Sequence, residues 1–378
     1  ARGTATEITS KTECDKKSNG TAVGINNAGT SITLVDFDLV KYEIKSTAVI
    51  NIDSGNATAK VLSLTPYDNF IVYGEYDGVV SNFNLGVGPS TIRTYSATTA
   101  GFYAASYYKE VSRGILYSNE SFFLSGMQGV SFVNMDTMGA DLITAGTFNT
   151  SGYPSLSTGN NIHITSVLDP SIGTSDLYLF ETKTSDFTDI FASNRGLSAR
   201  DFVVRDMVNN GAINYIIGND SKDNGSTRSL IRFYSAGVNI NDTGAFGAFT
   251  ATAPAFIYGN TITIDSSGVY AGYSYQGTVT HTWDNGSANS GANPSVLIAK
   301  YPLGSTKWDG APEYVYNIGT NNTLLFLNIS KIISSGSVVY AAGAYGNGGA
   351  NATLTLGDKL LTSSNTFSKW LMAFPGST

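Results

Sequence analysis

The stretch ITIDSSGVYAGYSYQGTVTHTWDNGSANSGANPSVLIAKYPLG, residues 262–304, decides the fold. It reads as an apolar strand, a tight DSSG turn and a second strand, VYAGYSY. A polar loop and a third strand, SVLIAKY, follow, closed by Pro302 and Gly304. The same unit returns about seventy residues later, and a supersecondary unit recurring at that spacing is the mark of a repeat architecture. The second copy is KIISSGSVVYAAGAYGNGGANATLTLG (331–357) followed by SKWLMAFPG (368–376).

Working outward, the same strand–turn–strand pattern ends in small residues around Gly74, Gly146, Gly218, Gly272 and Gly343, with a weaker first copy around Gly24. The turns between the paired strands are PYDN, DTMG, NNGA, DSSG and SSGS. Asp, Asn and Gly suit tight hairpins because they tolerate positive φ or cap their own backbone. Alternation and the β-branched and aromatic enrichment on either side indicate strands, and no 3.6-residue apolar period persists for three turns.

A third strand is expected in each copy at 32–44, 101–111, 176–184, 229–237, 295–304 and 369–377. A fourth is expected at 312–319 and at 115–124. Four antiparallel strands per copy make the blade of a β-propeller, in which radial repetition leaves only short edges. The expected fold is therefore all-β: a single propeller of six four-stranded antiparallel blades, with room for a seventh in the irregular N-terminal third. A β-solenoid has shorter coils, and tandem immunoglobulin-like sandwiches would need about seven strands per copy.

"IDSSGVYAGYSY … SVLIAKYPLG" and "ISSGSVVYAAGAYG … KWLMAFPG" resemble the secreted β-propeller repeat of bacterial and archaeal surface proteins: a D-x-x-G turn, a V-Y-x-x-G strand, then an apolar strand ending in lysine and a Pro/Gly turn. The match is good in the last two copies, fair at 129–184 and 202–237, and poor before residue 60. One copy keeps both Asp265 and Lys300. The resemblance implies a propeller and an extracellular setting, and it brings no catalytic residues.

Residues 1–18 read as an N-terminal strand and linker, and 19–378 as the propeller. The last copy ends one strand short, and the alternating segment Thr4, Ala5, Thr6, Glu7, Ile8, Thr9 can supply the missing strand. It would do so within the chain, closing the ring, or in a neighbouring molecule, by strand donation. The chain begins at Ala1 without an apolar leader, consistent with a removed signal peptide or a late start.

Composition narrows the function classes. The chain has 378 residues with only 13% charged, and its net charge of −7 leaves no basic stripe for nucleic acid. No apolar run is long enough to be a transmembrane segment. A lone cysteine, Cys14, excludes an internal disulfide and cysteine zinc sites; it reads as an incidental thiol, with an intermolecular bridge or lipid attachment as the alternative.

Asn-x-Ser/Thr sequons stand at Asn19, Asn56, Asn119, Asn149, Asn219, Asn224, Asn241, Asn285, Asn321, Asn328 and Asn351. Asn149, Asn219, Asn224, Asn285 and Asn351 are expected in loops between second and third strands, which in a propeller share one face, so a glycan-covered face is predicted.

No cofactor is expected. His163 and His281 lack a third ligand for zinc. NDSKDNG (219–225) puts Lys222 where a calcium ligand should stand, and NINDTG and NMDTMG hold too few acids, so no spacing supports structural calcium. TSSNTFSKW (362–370) resembles a sialidase Asp-box but has Phe367 for the essential glycine. Asp36, Asp38, Asp136, Asp206 and Asp265 lie on or beside strands, where turn and edge roles are expected ahead of carboxylate catalysis. Tyrosines on alternate strand positions, as in GFYAASYY and YAGYSY, are expected in the core, the alternative being a platform for sugars.

The expectation is thus a non-catalytic, exported surface glycoprotein, a structural subunit of a filament, appendage or surface layer that self-associates through its N-terminal strand or its faces. The second reading is an adhesin or lectin-like module binding a glycan or protein, and the third a polysaccharide hydrolase.

Overall fold

The structure, a computed structural model, describes residues 30–38, 43–52, 54–64, 69–84, 94–110, 115–138, 141–149, 155–158, 176–183, 191–195, 200–211, 213–222, 227–235, 245–281, 287–303, 312–319, 324–335, 337–348, 352–356, 359–363 and 367–376. They are strands in several antiparallel sheets, with no helix among them and no closed barrel or propeller ring. The chain divides into two compact units. The first comprises 1–142, 148–170 and 180–192, and the second 143–147, 171–179 and 193–378.

In the first unit the strands are β1 (Thr30–Asp38), β2 (Glu43–Ile52), β3 (Ser54–Ala57), β4 (Lys60–Leu64), β5 (Asn69–Asn84), β6 (Thr94–Ala97), β7 (Ala100–Glu110) and β8 (Ile115–Met138). They run in the order β1-β2-β5-β7-β8, with β3, β4 and β6 pairing on β5. Two expectations fail here. The single strand read at 32–44 is two antiparallel strands, since Ile32 pairs with Ile50 and Asp38 with Glu43. The strands read separately at 115–124 and from 130 are one continuous strand, β8, with a register shift against β7 between Leu124 and Met127. Tyr76, Tyr103 and Tyr107 fill the core with Ile50, Ile52 and Val72. Gly74 is obligatory there: a Cβ would lie 2.0 Å from the Thr58 carbonyl oxygen, which also accepts the Tyr103 hydroxyl at 2.7 Å.

Next come β9 (Asp141–Asn149), β10 (Ser155–Thr158), β11 (Asp176–Lys183) and β12 (Phe191–Arg195). The second unit then repeats itself three times. β13 (Arg200–Asn209), β14 (Ile213–Lys222), β15 (Thr227–Ser235) and β16 (Ala245–Ala251) form an antiparallel meander. β17 (Phe256–Asp265), β18 (Gly268–Gln276), β21 (Ser295–Tyr301) and β22 (Tyr314–Ile318) form the next, the central sheet. β23 (Phe326–Ser335), β24 (Val338–Gly346) and β27 (Ser368–Pro375) form the last, with three strands where the others have four.

The stretch read as a polar loop after β18 is partly ordered into a hairpin, β19 (Thr278–His281) and β20 (Ser287–Asn289). It adds to the outer strand of the preceding sheet, pairing Phe249 with His281 and Ala251 with Val279. Its counterpart in the last copy, β25 (Ala352–Leu356) with β26 (Lys359–Ser363), forms a separate two-stranded sheet.

The sequence explains the layering. β18 and β21 are apolar on both faces and are buried along their length. One face of the central sheet meets the first through Tyr273, Leu297 and Ala299 against Ile217, Ile231 and Phe249. The other meets the last sheet through Tyr270, Val296 and Ile298 against Ile329, Ile332, Val339 and Trp370. The first strands β13, β17 and β23 are neighbours in that order.

Candidate functional site

The first strands share a feature that local sequence patterning does not reveal. Each carries one extra residue relative to its partner: the register shifts between Val204 and Asp206, between Gly259 and Thr261, and between Ile329 and Lys331. Arg205, Asn260 and Ser330 are therefore the bulged residues. A bulge disrupts the ladder and releases backbone groups from it, and those groups need partners if they are buried.

The partners come from the second strand of the preceding copy. The Val204 N–H donates to Thr147 Oγ1 (2.8 Å), the Gly259 N–H to Asn219 Oδ1 (2.7 Å) and the Ile329 N–H to Ser274 Oγ (3.3 Å). Every donor is the residue just before the bulge. Every acceptor stands one position beyond Gly146, Gly218 or Tyr273. These three bonds are one clasp repeated.

The marker glycines follow from the same geometry. Gly218 pairs with Val204 and Gly343 with Ile329, each on the residue before the bulge. A Cβ on Gly343 would lie 1.9 Å from the Asn328 carbonyl oxygen, and one on Gly218 would lie 2.5 Å from the Phe202 ring. In the central sheet the small residue has changed strands: Tyr273 stands opposite Gly259, whose missing Cβ makes room for Ser229 and Ile217 of the preceding sheet.

A second polar chain uses the residue just after each bulge, Asp206, Thr261 and Lys331. Asp206 Oδ2 accepts from Thr261 Oγ1 (2.9 Å), the Ile262 N–H (3.1 Å) and Lys331 Nζ (2.6 Å), while Oδ1 accepts the Met207 N–H (3.0 Å). Thr261 Oγ1 accepts the Ile332 N–H at 3.2 Å, so the chain links all three sheets. A buried carboxylate with four donors is tied into the framework. Asp206 therefore joins sheets from β13, the edge strand of its sheet, where it takes the expected edge role by accepting backbone N–H groups and caps no turn.

Asp265, Lys300 and the tyrosines of the quoted stretch meet at one end of the central sheet. Asp265 Oδ1 accepts the N–H groups of Ser267 (2.7 Å) and Gly268 (3.2 Å), the turn role expected of it. Lys300 lies opposite Tyr270, and its side chain is only 9% exposed. Its ammonium bonds Glu313 Oε2 at 2.8 Å and sits 5.9 and 5.8 Å from the ring centroids of Tyr270 and Tyr314. The Glu313 hydrogen bond raises the Lys300 pKa against the opposing effect of burial. A Cβ on Gly268 would lie 2.8 Å from Lys300 Cε, so the turn glycine makes way for the lysine stem. Tyr270 and Ser267 both hydrogen-bond the Gly376 carbonyl, which fastens the chain's last strand to this corner.

The tyrosine stripes are core. Tyr103, Tyr107, Tyr270, Tyr273, Tyr275 and Tyr301 are fully buried, which removes these particular rings from any sugar platform. Burial pushes the Tyr273, Tyr275 and Tyr301 hydroxyls upward in pKa.

The sequons scatter. Asn219 is inside β14, 7% exposed and engaged in a clasp, so it has no room for a glycan in the folded state, and the loop position expected for it is wrong. Asn328 lies in β23 with its amide oxygen accepting the Ala344 N–H (2.9 Å). Asn56 is exposed in β3, Asn119 lies in β8 and Asn149 ends β9. Asn19, Asn224, Asn241, Asn285, Asn321 and Asn351 lie outside the described residues, as do Thr4–Thr9, Cys14 and His163. His281 ends β19, Asp36 and Asp38 lie in β1, and Asp136 in β8. Among the described residues no group of three or more His, Cys, Asp and Glu is placed to hold a metal ion, and no helix is long and apolar enough to cross a membrane. In the resembled Asp-box, Phe367 is exposed, while Trp370 is buried and donates its indole N–H to the Asn328 carbonyl (3.0 Å).

A groove lined by Thr250, Thr252, Pro254, Ala255, Gly277, Thr278, Thr280 and Gly291 opens beside the β16–β19 junction, with hydroxyls and no charged group in its wall. No protein-family model, no curated protein and no solved structure matches the chain.

Proposed function

We propose that the chain is a structural subunit: an exported, glycosylated surface protein built from propeller-type blades and assembling into a filament, appendage or surface layer. The observation that carries this reading is the repeated clasp. In the second unit the polar groups freed at each bulge are used to fasten one sheet to the next, with the Asp206 carboxylate saturated in the same way. Chemistry spent on joining sheets is what a load-bearing or lattice-forming scaffold requires.

The six-bladed propeller belongs to this proposal, its series of blades closed either within the chain or against a neighbouring copy. The meander sheets and the neighbouring first strands of the second unit support blades, and Gly74 and Gly146 mark further copies. The last sheet, one strand short, supports completion by an added strand, for which Thr4–Thr9 is the candidate donor. Asn56, exposed in β3, is a sequon open to a glycan.

The test is native size by light scattering and negative-stain microscopy for the full chain and for the chain lacking residues 1–10. Regular polymers that disappear on truncation support the reading; a monodisperse monomer under all conditions overturns it. The uncharged, hydroxyl-lined groove favours a second reading, a glycan-binding adhesin. Glycan-array binding lost on Thr280→Lys would select it.

A further inference from the structure

The central and last sheets are copies that align residue by residue, through Tyr270 with Tyr340 and Ile298 with Leu371. Tyr270 pairs with Lys300 as Tyr340 pairs with Ala373, and Gly272 pairs with Ile298 as Ala342 pairs with Leu371. In the central sheet this face is closed by the next sheet, and Tyr270 and Ile298 are 0% exposed. In the last sheet it is open: Tyr340 is 37% exposed, Leu371 68% and Ile333 50%. Ile333 pairs directly with Tyr340, so the three large apolar groups lie on adjacent strands of one face, with Ala342 and Ala373 between them.

We propose that this face is the surface on which a second copy of the chain docks. The inference rests on the structural role proposed above and names its contact surface. Three observations select the occupant. First, the face continues an established series, in which the first sheet of the unit packs on the central one and the central one on the last through this same set of positions. Second, the clasp that marks each step within the chain is missing here. Its acceptor position, one beyond Gly343, is Ala344, where Thr147, Asn219 and Ser274 stand in the other copies. A junction without the side-chain acceptor is not another step of the same kind, and it relies on apolar contact, which surfaces that meet after folding use. Third, the strands of the last sheet carry Lys331 and Lys369 and no carboxylate, whereas the whole chain has a net charge of −7. Lys331 is held by Asp206, and exposed Lys369 lies on the open face opposite Ala344. An acidic second copy is attracted to this patch and repelled from most other surfaces.

The experiment compares the full chain with Leu371→Glu and Lys369→Glu by light scattering over a range of protein and salt concentrations. Circular dichroism and thermal unfolding verify that the variants are folded, as expected for exposed positions. The expected result is concentration-dependent self-association that Leu371→Glu weakens by about 100-fold or more, an interface charge in an apolar patch being strongly unfavourable. Lys369→Glu should weaken it about tenfold at low salt and progressively less as salt rises. A monomeric full chain at every concentration overturns the proposal, since the face is then left open or covered within one molecule. Assembly unchanged in Leu371→Glu but abolished by deleting residues 1–10 also overturns it, while leaving the structural function standing through strand donation.

Discussion

The central sheet and the last sheet of the second unit are built from nearly the same pattern, yet they differ in what their second faces meet. In the central sheet, strands Gly268–Gln276 and Ser295–Tyr301 are buried at every position but Gln276. In the last, the burial of Ser368–Pro375 alternates between exposed and covered. The contrast teaches that the repeat codes for an element that is apolar on two faces, and that position in the series decides whether the second face is satisfied.

The largest expected effect tests what both sheets share, the close approach at the bulge. Gly343→Ala puts a Cβ within 1.9 Å of a carbonyl oxygen and is expected to cost about 3 kcal/mol or more, at the upper end of overpacking losses. Gly211→Ala serves as the control. It has a positive φ of 89° but open space around it, and should cost only about 1 kcal/mol from backbone strain. Chemical denaturation of the two variants measures the gap.

The next comparison separates the sheets. Ile298→Ala in the central sheet removes a fully buried side chain and should cost about 2–4 kcal/mol. Leu371→Ala at the matching position of the last sheet should change the stability of the isolated chain by no more than about 0.5 kcal/mol. A large loss at Leu371 under conditions where the chain is monomeric would mean that its face is covered within the molecule.

A smaller effect is expected at the clasp. Ser274→Ala leaves the Ile329 N–H and the Asn260 amide without their acceptor and should cost about 1–2 kcal/mol, the penalty for a buried unsatisfied donor. Ala344→Ser, its counterpart in the last sheet, should leave stability within about 0.5 kcal/mol of the parent, because a polar substitution at an open face breaks nothing.

The most gradual effect is with pH. The folded-state pKa values of Tyr273, Tyr275 and Tyr301 are raised by burial, and that of Lys300 by its bond to Glu313. Above the unfolded values of about 10 the native state holds protons that the unfolded state releases. The stability they contribute is thus complete below about pH 10 and declines as pH rises toward the folded values. Denaturation midpoints should fall steeply on the alkaline side, with tyrosinate absorbance appearing together with unfolding. Tyrosinate appearing well before the loss of structure would show that these rings are accessible.

The sequence announced the repeat through glycines that really are opposite or beside bulges, and through turn residues such as Asp265 that cap the hairpins they were expected to cap. The Asp265, Gly268, Tyr270 and Lys300 positions of the resembled motif come together at one corner because strand pairing places Tyr270 opposite Lys300. Other parts were not legible. Asp206 and Lys331 are 125 residues apart, and their bond depends on equal bulges in first strands that lie near one another. Aligning the copies on Tyr215, Tyr270 and Tyr340 is the signal that could have found it. Asn219 reads as a loop sequon because its Asn-Asp-Ser sequence has loop composition, while the ladder from Ile213 to Ser221 runs straight through it.

By itself the sequence determined the strands and hairpin turns of the second unit from Arg200 onward, their repetition and the buried tyrosines, because alternation and turn chemistry act between residues close in the chain. Only the tertiary structure decided the rest: the bulge registers, the clasps from one copy to the next, the hairpin that crosses to the preceding sheet and the open apolar face of the last. Each depends on which sheet lies beside which, and burial and hydrogen-bond satisfaction are settled by neighbours in space that local sequence does not name.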